Sequence, residues 1–361
     1  KKAASIREKL QIDPNKVIVK MIGNLLEVEN YNLINPNLKI DKIYCGNNEI
    51  NFQQKMILKN IKKIVNIKQV LISMPCFKIN INDEFNNKNF QISISNLKTK
   101  RVDTIDEKKF LKYFKIEDKK ILLKKDFTNI DENITIPKDY TVIILPGQKI
   151  TLKDDAFIYS LSNFIIGQID NDKKVFISGN KDNYGGGLFI DSQKTSQIFN
   201  TEFSFLSGYG AGVGNTNTNF LEKFLIYGSI NFYNGHAIFK NTDFMNITSE
   251  DALNLINIKF DLDNVNFHNI SNDGIDVDFG NGSISNSSFN QIGNDAIDLS
   301  GSNSSIIKNY IGNAGDKGVS IGESSNVIID KLEIVNSYIG VAVKDGSVVK
   351  IQNSLFKNGD Y

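Results

Sequence analysis

The sequence predicts a mainly β protein, in which a right-handed parallel β-helix with coils of about 22 residues follows a smaller α+β domain. Three observations support this prediction. A four-residue motif recurs at steps of 22 residues, short strands separated by Gly, Pro, Asn and Asp begin near residue 120, and residues 1–118 show neither pattern. A repeat of this length is too short for a pair of helices, whereas three short strands joined by tight turns fill it.

Residues 1–118 are predicted to form a separate α+β domain. Ile6–Leu10 and Asp106–Phe114 have the composition of short helices, whereas Lys68–Ile81 and Phe90–Ile94 are strand-like in composition and alternation. Both cysteines of the chain lie in this region, which excludes a disulfide-rich scaffold and allows at most one bridge.

Residues 119–361 are predicted to form the β-helix. Short strands spaced about 8–12 residues apart are typical of a sandwich, a barrel or a solenoid. The first predicted strands are Ile121–Phe127, Ile134–Ile136, Thr141–Leu145, Ile150–Leu152 and Phe164–Ile169. The internal repeat favours the solenoid, because an antiparallel sandwich does not need so regular a period.

The repeated motif contains two apolar residues that alternate with small or polar ones. It starts at residues 252, 274, 296, 318 and 340, and an earlier copy starts at Ser229, 23 residues before the first. The apolar members are expected to point into the coil and the others outward. Consecutive coils stack ~4.8 Å apart, with the right-handed crossover that parallel strands favour. In this register Tyr361 is in line with Ile339, so the sequence ends part-way through a coil.

Stacked coils place equivalent outward residues in columns. Three neighbouring columns contain Asn254, Asp276, Asp298, Ser320 and Ala342; Asp251, Asp273, Asp295, Lys317 and Ile339; and Ile256, Asp278, Ser300, Gly322 and Lys344. Asp276 and Asp298 therefore stack on adjacent coils, where two carboxylates about 5 Å apart repel by roughly 3 kcal/mol at an effective dielectric constant near 20. A cation, a nearby lysine or a shared proton has to relieve this repulsion.

Two kinds of chemistry fit these carboxylates. Retaining glycosidases hold two carboxyl groups about 5–5.5 Å apart, and Ca²⁺ is bound by several carboxylate oxygens. The candidate catalytic residues are Asp276, Asp298, Lys317, Glu323 and Lys344; the candidates for substrate or ion binding are Asp273, Asp276, Asp278, Asp295 and Asp298; and the candidate Ca²⁺ ligands are Asp276, Asp278 and Asp298. No other cofactor is expected.

A purely structural role is the competing interpretation. Asp and Asn side chains before a strand often cap the turn by bonding to backbone groups, which is the simpler interpretation of Asp251, Asp273 and Asp295. On this interpretation Lys317 forms an ion pair with Asp295, one coil below.

The charge distribution narrows the classes of partner. The whole chain has a net charge of +1, but residues 230–361 contain 8 Lys, no Arg and 16 Asp and Glu. This acidity argues against nucleic acid, because phosphate contacts need basic residues. No apolar run reaches the ~20 residues of a membrane helix, and the sequence leaves the oligomeric state open.

Several segments together resemble a bacterial family of right-handed parallel β-helix repeat proteins, of the pectin-lyase-like superfold. The resemblance rests on Gly228–Tyr233, Glu250–Asn254, Asp273–Phe279, Asn294–Ser302, Gly315–Glu323 and Val343–Asp345. It implies the fold over about residues 120–361 and a secreted or cell-envelope location. The superfold includes polysaccharide lyases, glycosidases and phage tailspikes, so the resemblance does not select one activity.

The chain departs from the best-known enzymes of that superfold. Residues 228–345 lack the Asp-Asp, Gly-His-Gly and Arg-Ile-Lys motifs of polygalacturonase-like glycosidases, and residues 119–361 contain no Arg to act as the base of a pectate-lyase-like enzyme, which leaves Lys317 or Lys344 for that role. We expect an extracellular or envelope protein that engages a polysaccharide along its acidic outward face, as a lyase or glycoside hydrolase if it is an enzyme. The alternatives are a non-catalytic structural or adhesive scaffold and a tailspike-like protein.

Overall fold

The computed structural model describes strands between residues 17 and 96, residues 107–208 and residues 228–359. The chain divides into two compact units, Lys1–Asp103 and Thr104–Tyr361. The sequence predicts a boundary after residue 118, and the structure places the segment that precedes it in the second unit. The predicted helix Ile6–Leu10 lies outside the described residues.

The described part of the first unit is an eight-stranded sheet in the order β4-β3-β7-β8-β1-β2-β6, with β5 paired to β3. Its strands are β1 (Val17–Ile22), β2 (Leu25–Asn30), β3 (Asn37–Cys45), β4 (Asn48–Asn51), β5 (Lys55–Ile57), β6 (Lys63–Asn66), β7 (Cys76–Asp83) and β8 (Lys88–Asn96). Cys45 and Cys76 are opposite each other in the antiparallel register of β3 and β7.

The second unit begins with a cap on the first coil. The short helix α1 (Glu107–Phe110) is followed by β9 (Phe114–Glu117), which pairs antiparallel with β10 (Lys120–Leu123). Phe110 and Phe114 are fully buried in the core. Because an open sheet end offers unpaired backbone groups, this antiparallel strand closes the first coil. Of the predicted helix Asp106–Phe114, residues Glu107–Phe110 are helical, and Phe114 is already the first residue of β9.

A nine-stranded parallel sheet, S1, forms one side of the β-helix. Its strands are β12 (Ile134–Ile136), β15 (Phe157–Ser160), β18 (Gly187–Asp191), β20 (Gly228–Tyr233), β22 (Asp251–Ile256), β24 (Asp273–Asp278), β27 (Ile297–Ser300), β30 (Lys317–Gly322) and β33 (Ile339–Val343).

Two further parallel sheets, S2 and S3, complete each coil. S2 contains β10, β13 (Thr141–Ile144), β16 (Asn163–Ile166), β25 (Asn281–Ser285), β28 (Asn303–Ile307), β31 (Asn326–Asp330) and β34 (Val348–Gln352). S3 contains β11 (Phe127–Ile130), β14 (Lys149–Leu152), β17 (Val175–Ser178), β26 (Ser288–Ile292), β29 (Tyr310–Ala314), β32 (Glu333–Val335) and β35 (Leu355–Lys357). Three long strands, β19 (Thr195–Ser204), β21 (His236–Ile247) and β23 (Lys259–Ile270), bend at a corner and contribute to both sheets.

The predicted strand Ile121–Phe127 is divided between β10 and β11, because its middle residues form an exposed corner.

The strand register confirms the predicted columns. Leu253, Ile275, Ile297, Val319 and Val341 pair in succession along S1. The first four are fully buried. Val341 is half-buried and Val343 is 48% exposed, because β33 is the edge of S1 in the described chain.

Aromatic side chains stack through the interior behind S3. The ring centroids of Phe203, Phe244, Phe267 and Phe289 are separated by 5.1, 4.6 and 4.8 Å in turn. These separations follow the strand spacing, so each coil buries its apolar face against the next one.

Asparagines occupy corners where the backbone has a positive φ. Asn257 and Asn234 turn the corner between S1 and S2, and Asn257 Nδ2 donates to Asn234 Oδ1 over 2.7 Å. Asn264 and Asn241 turn the corner between S2 and S3, where the same bond measures 2.8 Å. Asn tolerates the left-handed conformation better than most residues, so each amide fits the corner and bonds to the coil below.

Candidate functional site

The candidate site lies on the outer face of S1, on strands β22, β24, β27 and β30. Ile275 and Val277 are fully buried inside the coil. Because side chains alternate along a strand, Asp276 between them and Asp278 beside them point outward. The structure therefore places these acids on the predicted face.

Asp276 and Asp298 are paired residues on the neighbouring strands β24 and β27. Both side chains are half-buried. Asp276 Oδ2 accepts a 3.3 Å hydrogen bond from Asn254 Nδ2, which also donates to Asp251 Oδ2 over 2.9 Å. One amide thus serves two carboxylates, and Asp251 is itself only 2% exposed.

The surroundings raise the pKa of Asp276 well above the usual range. Burial is the largest cause, and the charges of Asp278, Asp251, Asp298 and Asp273 act in the same direction. Burial disfavours the charged form, and each neighbouring carboxylate disfavours it further. Asp276 is therefore the member of the pair that retains a proton more readily.

Asp298 has a different electrostatic environment. Burial raises its pKa, but the charges of Lys344 and Lys317 oppose the shift. Lys344 extends past Gly322, where a Cβ would lie 3.8 Å from Lys344 Cε. The lysines favour the ionised form of Asp298, so the two carboxyl groups differ in their preference for a proton.

Ser320 continues the same column on strand β30, where it pairs with Asp298. Its side chain is fully buried, and its hydroxyl makes no hydrogen bond of ordinary geometry within the described residues. The hydroxyl is nevertheless close enough to favour the ionised form of Asp298. A buried polar atom without a partner is uncommon and needs an explanation. Here it is adjacent to the carboxyl pair.

The neighbouring column of acids binds backbone groups. Asp273 Oδ1 accepts from the backbone N of Asp295 over 2.8 Å and from Asn294 Nδ2 over 2.7 Å. Asp295 Oδ1 accepts from the backbone N of Lys317 over 2.9 Å. Each Asp thus caps the turn of the next coil. Burial is also the largest cause that raises the pKa of Asp273 to about 6.

The predicted ion pair between Lys317 and Asp295 is present. The Lys317 ammonium is 3.1 Å from Asp295 Oδ1 and also contacts the Asp316 carboxylate. Lys317 is therefore held by two acids and affects Asp298 only through its charge. Its role as a catalytic base stays a prediction.

The remaining candidates belong to the third column or its corner. Asp278 is half-buried and pairs with Ser300. Glu323 follows Gly322 at a corner with a φ of 58°. The structure brings Asp276, Asp278 and Asp298 together and places Lys344 near Asp298, whereas Glu323 is at the rim.

Sequence reasoning missed how strongly the outer face of S1 is buried. Tyr159 and Phe189 occupy the same outward column in earlier coils, stack at 5.4 Å and are each 4% exposed. Asn231 and Asn254 follow in that column and are 1% exposed. The half-buried acids are therefore more accessible than Asn254 and Ser320, their neighbours in this column. The sequence carried no periodic signal of this burial, because Tyr159 and Phe189 are not separated by the 22-residue period.

Among the described residues, no group of three or more His, Cys, Asp or Glu has the geometry to hold a metal ion. Ca²⁺ at Asp276, Asp278 and Asp298 stays a prediction. Arg7 and Arg101 lie outside the described residues. No helix in the described chain is both long and apolar enough to cross a membrane.

Comparisons with known proteins concern the fold. A family model described as "Right handed beta helix region" matches residues 252–361. Together with the parallel pairing of the three sheets, this match confirms the predicted right-handed parallel β-helix. No curated protein matches the chain at a significant level.

Two solved structures are similar to this chain. A double mutant of the periplasmic alginate epimerase AlgG is 10% identical, with a TM-score of 0.29, and the match covers 68% of this chain and 79% of that one. The Streptococcus pneumoniae surface protein and adhesin PfbA is 12% identical, with a TM-score of 0.21, and the match covers 63% of this chain and 91% of that one.

Proposed function

We propose that this chain binds a polysaccharide over Asp276 and Asp298 and hydrolyses a glycosidic bond there. The observation that supports this proposal is the half-buried carboxyl pair itself, on adjacent strands beside the buried Ser320 hydroxyl. Adjacent strands are ~4.8 Å apart, close to the ~5–5.5 Å between the carboxyl groups of a retaining glycosidase.

The different environments of the two acids suggest their roles. Asp276 is half-buried and close to four other aspartates, which favours its protonated form. It is the proposed general acid, which protonates the leaving oxygen. Lys344 and Lys317 favour the ionised form of Asp298, which is the proposed nucleophile. When the environments of two titratable groups separate their pKa values, the group with the higher value usually acts as the acid and the other as the base or nucleophile.

This function implies a location where polysaccharides are found. We therefore propose that the chain is secreted or lies in the cell envelope. Measurement of the protein in culture medium, envelope and cytosol fractions tests the location, and a purely cytosolic protein would contradict it.

The activity is tested with the full chain on a panel of neutral and acidic polysaccharides, with release of reducing ends as the measurement. We expect hydrolysis of at least one of them, with retention of the anomeric configuration. Asp298→Asn and Asp276→Asn should each lower the rate by ~100-fold or more. Asp172→Asn is the matched control, because Asp172 is an exposed acid away from S1. Full activity of Asp298→Asn, or no turnover of any polysaccharide, would exclude the proposal.

A non-catalytic scaffold or adhesive is the second candidate function. The bonds from Asp273 and Asp295 to the backbone of the next coil favour it, because they show that acids on this face also stabilise the turns. On this alternative Asp298→Asn should lower the free energy of unfolding by about 1–3 kcal/mol. Under the hydrolase proposal the same change should leave stability equal or higher. Thermal unfolding with Ca²⁺ and with a chelator distinguishes an acid cluster that holds an ion from one that does not.

A further inference from the structure

A second concave site lies at the corner between S1 and S2, in the early coils. Turns of three consecutive coils line an open pocket of about 280 Å³. They are Lys138–Tyr140 after β12, Leu161 and Ser162 after β15, and 191–194 at the end of β18. Drug-sized ligands occupy pockets of roughly 300–1,000 Å³, so this one has the size for a single small molecule.

Hydrogen bonds between the turns hold the pocket in shape. The buried Ser162 hydroxyl donates to the carbonyl oxygen of Pro137 over 2.6 Å and accepts from the backbone N of Tyr140 over 3.0 Å. Above it, Gly235 has a φ of +71°, and a Cβ there would lie 2.3 Å from the Ser192 carbonyl oxygen. The glycine therefore lets the next turn pack closely on the turn that contains Ser192.

The stacked asparagines at the S1–S2 corner, Asn257 and Asn234, form an amide ladder. Asp191 ends this ladder and lines the pocket. Asn257 donates to Asn234, and Asn234 Nδ2 donates to Asp191 Oδ1 over 3.0 Å. Asp191 is half-buried. Within the described chain, Asn234 is the side chain that donates a hydrogen bond to this carboxylate. Burial raises the pKa of Asp191. Loss of water around a carboxylate costs free energy unless hydrogen bonds replace it, and a donor group of a ligand would supply such a bond.

The charges that line the pocket balance. Lys138 and Lys194 are exposed at its rim, opposite in sign to Asp139 and Asp191. A net-neutral pocket gives no advantage to a strongly charged ligand. Most of its accessible wall is apolar, and the charged side chains add donors and an acceptor. Hydroxyl groups both donate and accept, so a ring with several hydroxyls matches this lining.

We propose that this corner pocket binds one neutral sugar residue, with its hydroxyls on Asp191 and the rim lysines. The site is separate from the carboxyl pair. Asp191 belongs to the S1 column that continues through Tyr233 and Ile256 to Asp278. Three strand spacings amount to about 14 Å, so a ligand in the pocket does not occupy Asp276 and Asp298.

Saturation-transfer NMR on the full chain tests the proposal, with methyl glycosides of glucose, galactose and mannose as probes and with galacturonate and glucosamine as charged comparisons. We expect at least one neutral glycoside to bind. Gln193→Trp, at the exposed rim, should block the pocket and weaken this binding by tenfold or more. Gln352→Trp makes the same change at an exposed position in β34 and should have no effect.

Asp191→Ala should weaken the binding to a similar degree, and Gln193→Trp keeps the test decisive if that variant does not fold. Asp298→Asn should bind the glycoside normally, which separates this site from the proposed hydrolase. Stronger binding of galacturonate or glucosamine, binding that survives Gln193→Trp, or no binding of any neutral glycoside would each overturn the proposal.

Discussion

The amide ladder at the S1–S2 corner and the carboxyl pair on S1 have the same geometry and opposite energetics. Asn234 and Asn257 stack one coil apart and share a 2.7 Å hydrogen bond. Asp276 and Asp298 also stack one coil apart, but each neighbouring acid raises the pKa of Asp276. Stacking alone therefore does not decide whether a column stabilises the β-helix. The chemistry of the repeated side chain decides it.

The difference follows from the donors and acceptors. An amide has both, so identical amides can bond in an unlimited row, whereas ionised carboxylates have only acceptors and repel. A row of Asn needs no further partner. A row of Asp needs a proton, a cation or a ligand, which is why the acids and not the amides are the candidate site.

The largest expected effect comes from placing an acid in the amide ladder. Asn257 is 2% exposed, and Asn257→Asp replaces the donor to Asn234 by a buried carboxylate. We expect the free energy of unfolding at pH 7 to fall by about 3–5 kcal/mol, with partial recovery at pH 5 as the acid is protonated. Urea denaturation measures it. Asn264, at the S2–S3 corner, makes the same kind of bond to Asn241 but is exposed, so Asn264→Asp is the control and should cost less than ~1 kcal/mol. Equal losses at the two rungs would contradict the explanation.

The acid cluster should make the protein more stable at mildly acidic pH. The pKa of Asp273 is about 6 in the folded chain against a usual 3.8. Between these values the folded state binds more protons, so stability falls as the pH rises from 4 to 6. A shift of this size corresponds to about 2–3 kcal/mol, and Asp251 and Asp276 shift in the same direction.

Urea denaturation from pH 4.5 to 7.5 checks this, and Asp273→Asn should flatten the profile. If the free energy of unfolding rises over this range, the acids are paired with cations in solution, and the explanation is wrong.

The converse substitution, an amide in the acid column, should stabilise. Asp276→Asn keeps an acceptor for Asn254 and removes a charge from among the other aspartates. We expect a gain of about 1–2 kcal/mol at pH 7, and no gain at pH 4, where the acid is already protonated. Thermal unfolding at both pH values measures it. A loss at pH 7 would indicate that Asp276 holds an ion.

The smallest expected effect distinguishes the contribution of the Asn264 side-chain hydrogen bond from that of its backbone conformation. Asn264 is exposed, has a φ of 55° and donates to Asn241. Asn264→Gly keeps the conformation and loses the bond, which should cost about 0.5–1 kcal/mol. Asn264→Ala loses both and should cost about 1 kcal/mol more. Identical losses in the two variants would mean that the positive φ carries no strain.

Much of the fold could be predicted because each coil repeats the one before it. The 22-residue steps placed Leu253, Ile275 and Ile297 in one core column and Asp276 next to Asp298, and the register agrees. The register of the earlier coils could not be predicted in this way. Ile134, Ile158, Leu188 and Ile230 are in register at steps of 24, 30 and 42 residues. Insertions of this length hide the period, so the Tyr159–Phe189 stack and the pocket at Asp191 left no periodic signal.

From residue 252 onward, the sequence alone determined which residues share a column, because side chains alternate along each strand and every coil there has the same length. It also determined whether the side chains of a column are neutral amides or acids, because the residue types are given by the sequence. The tertiary structure alone decided how much water reaches each rung. Asn254 is 1% exposed while Asp276, one coil later, is half-buried. Proton affinity depends on burial and on charges that come from distant turns, and neither is a property of a residue's own coil.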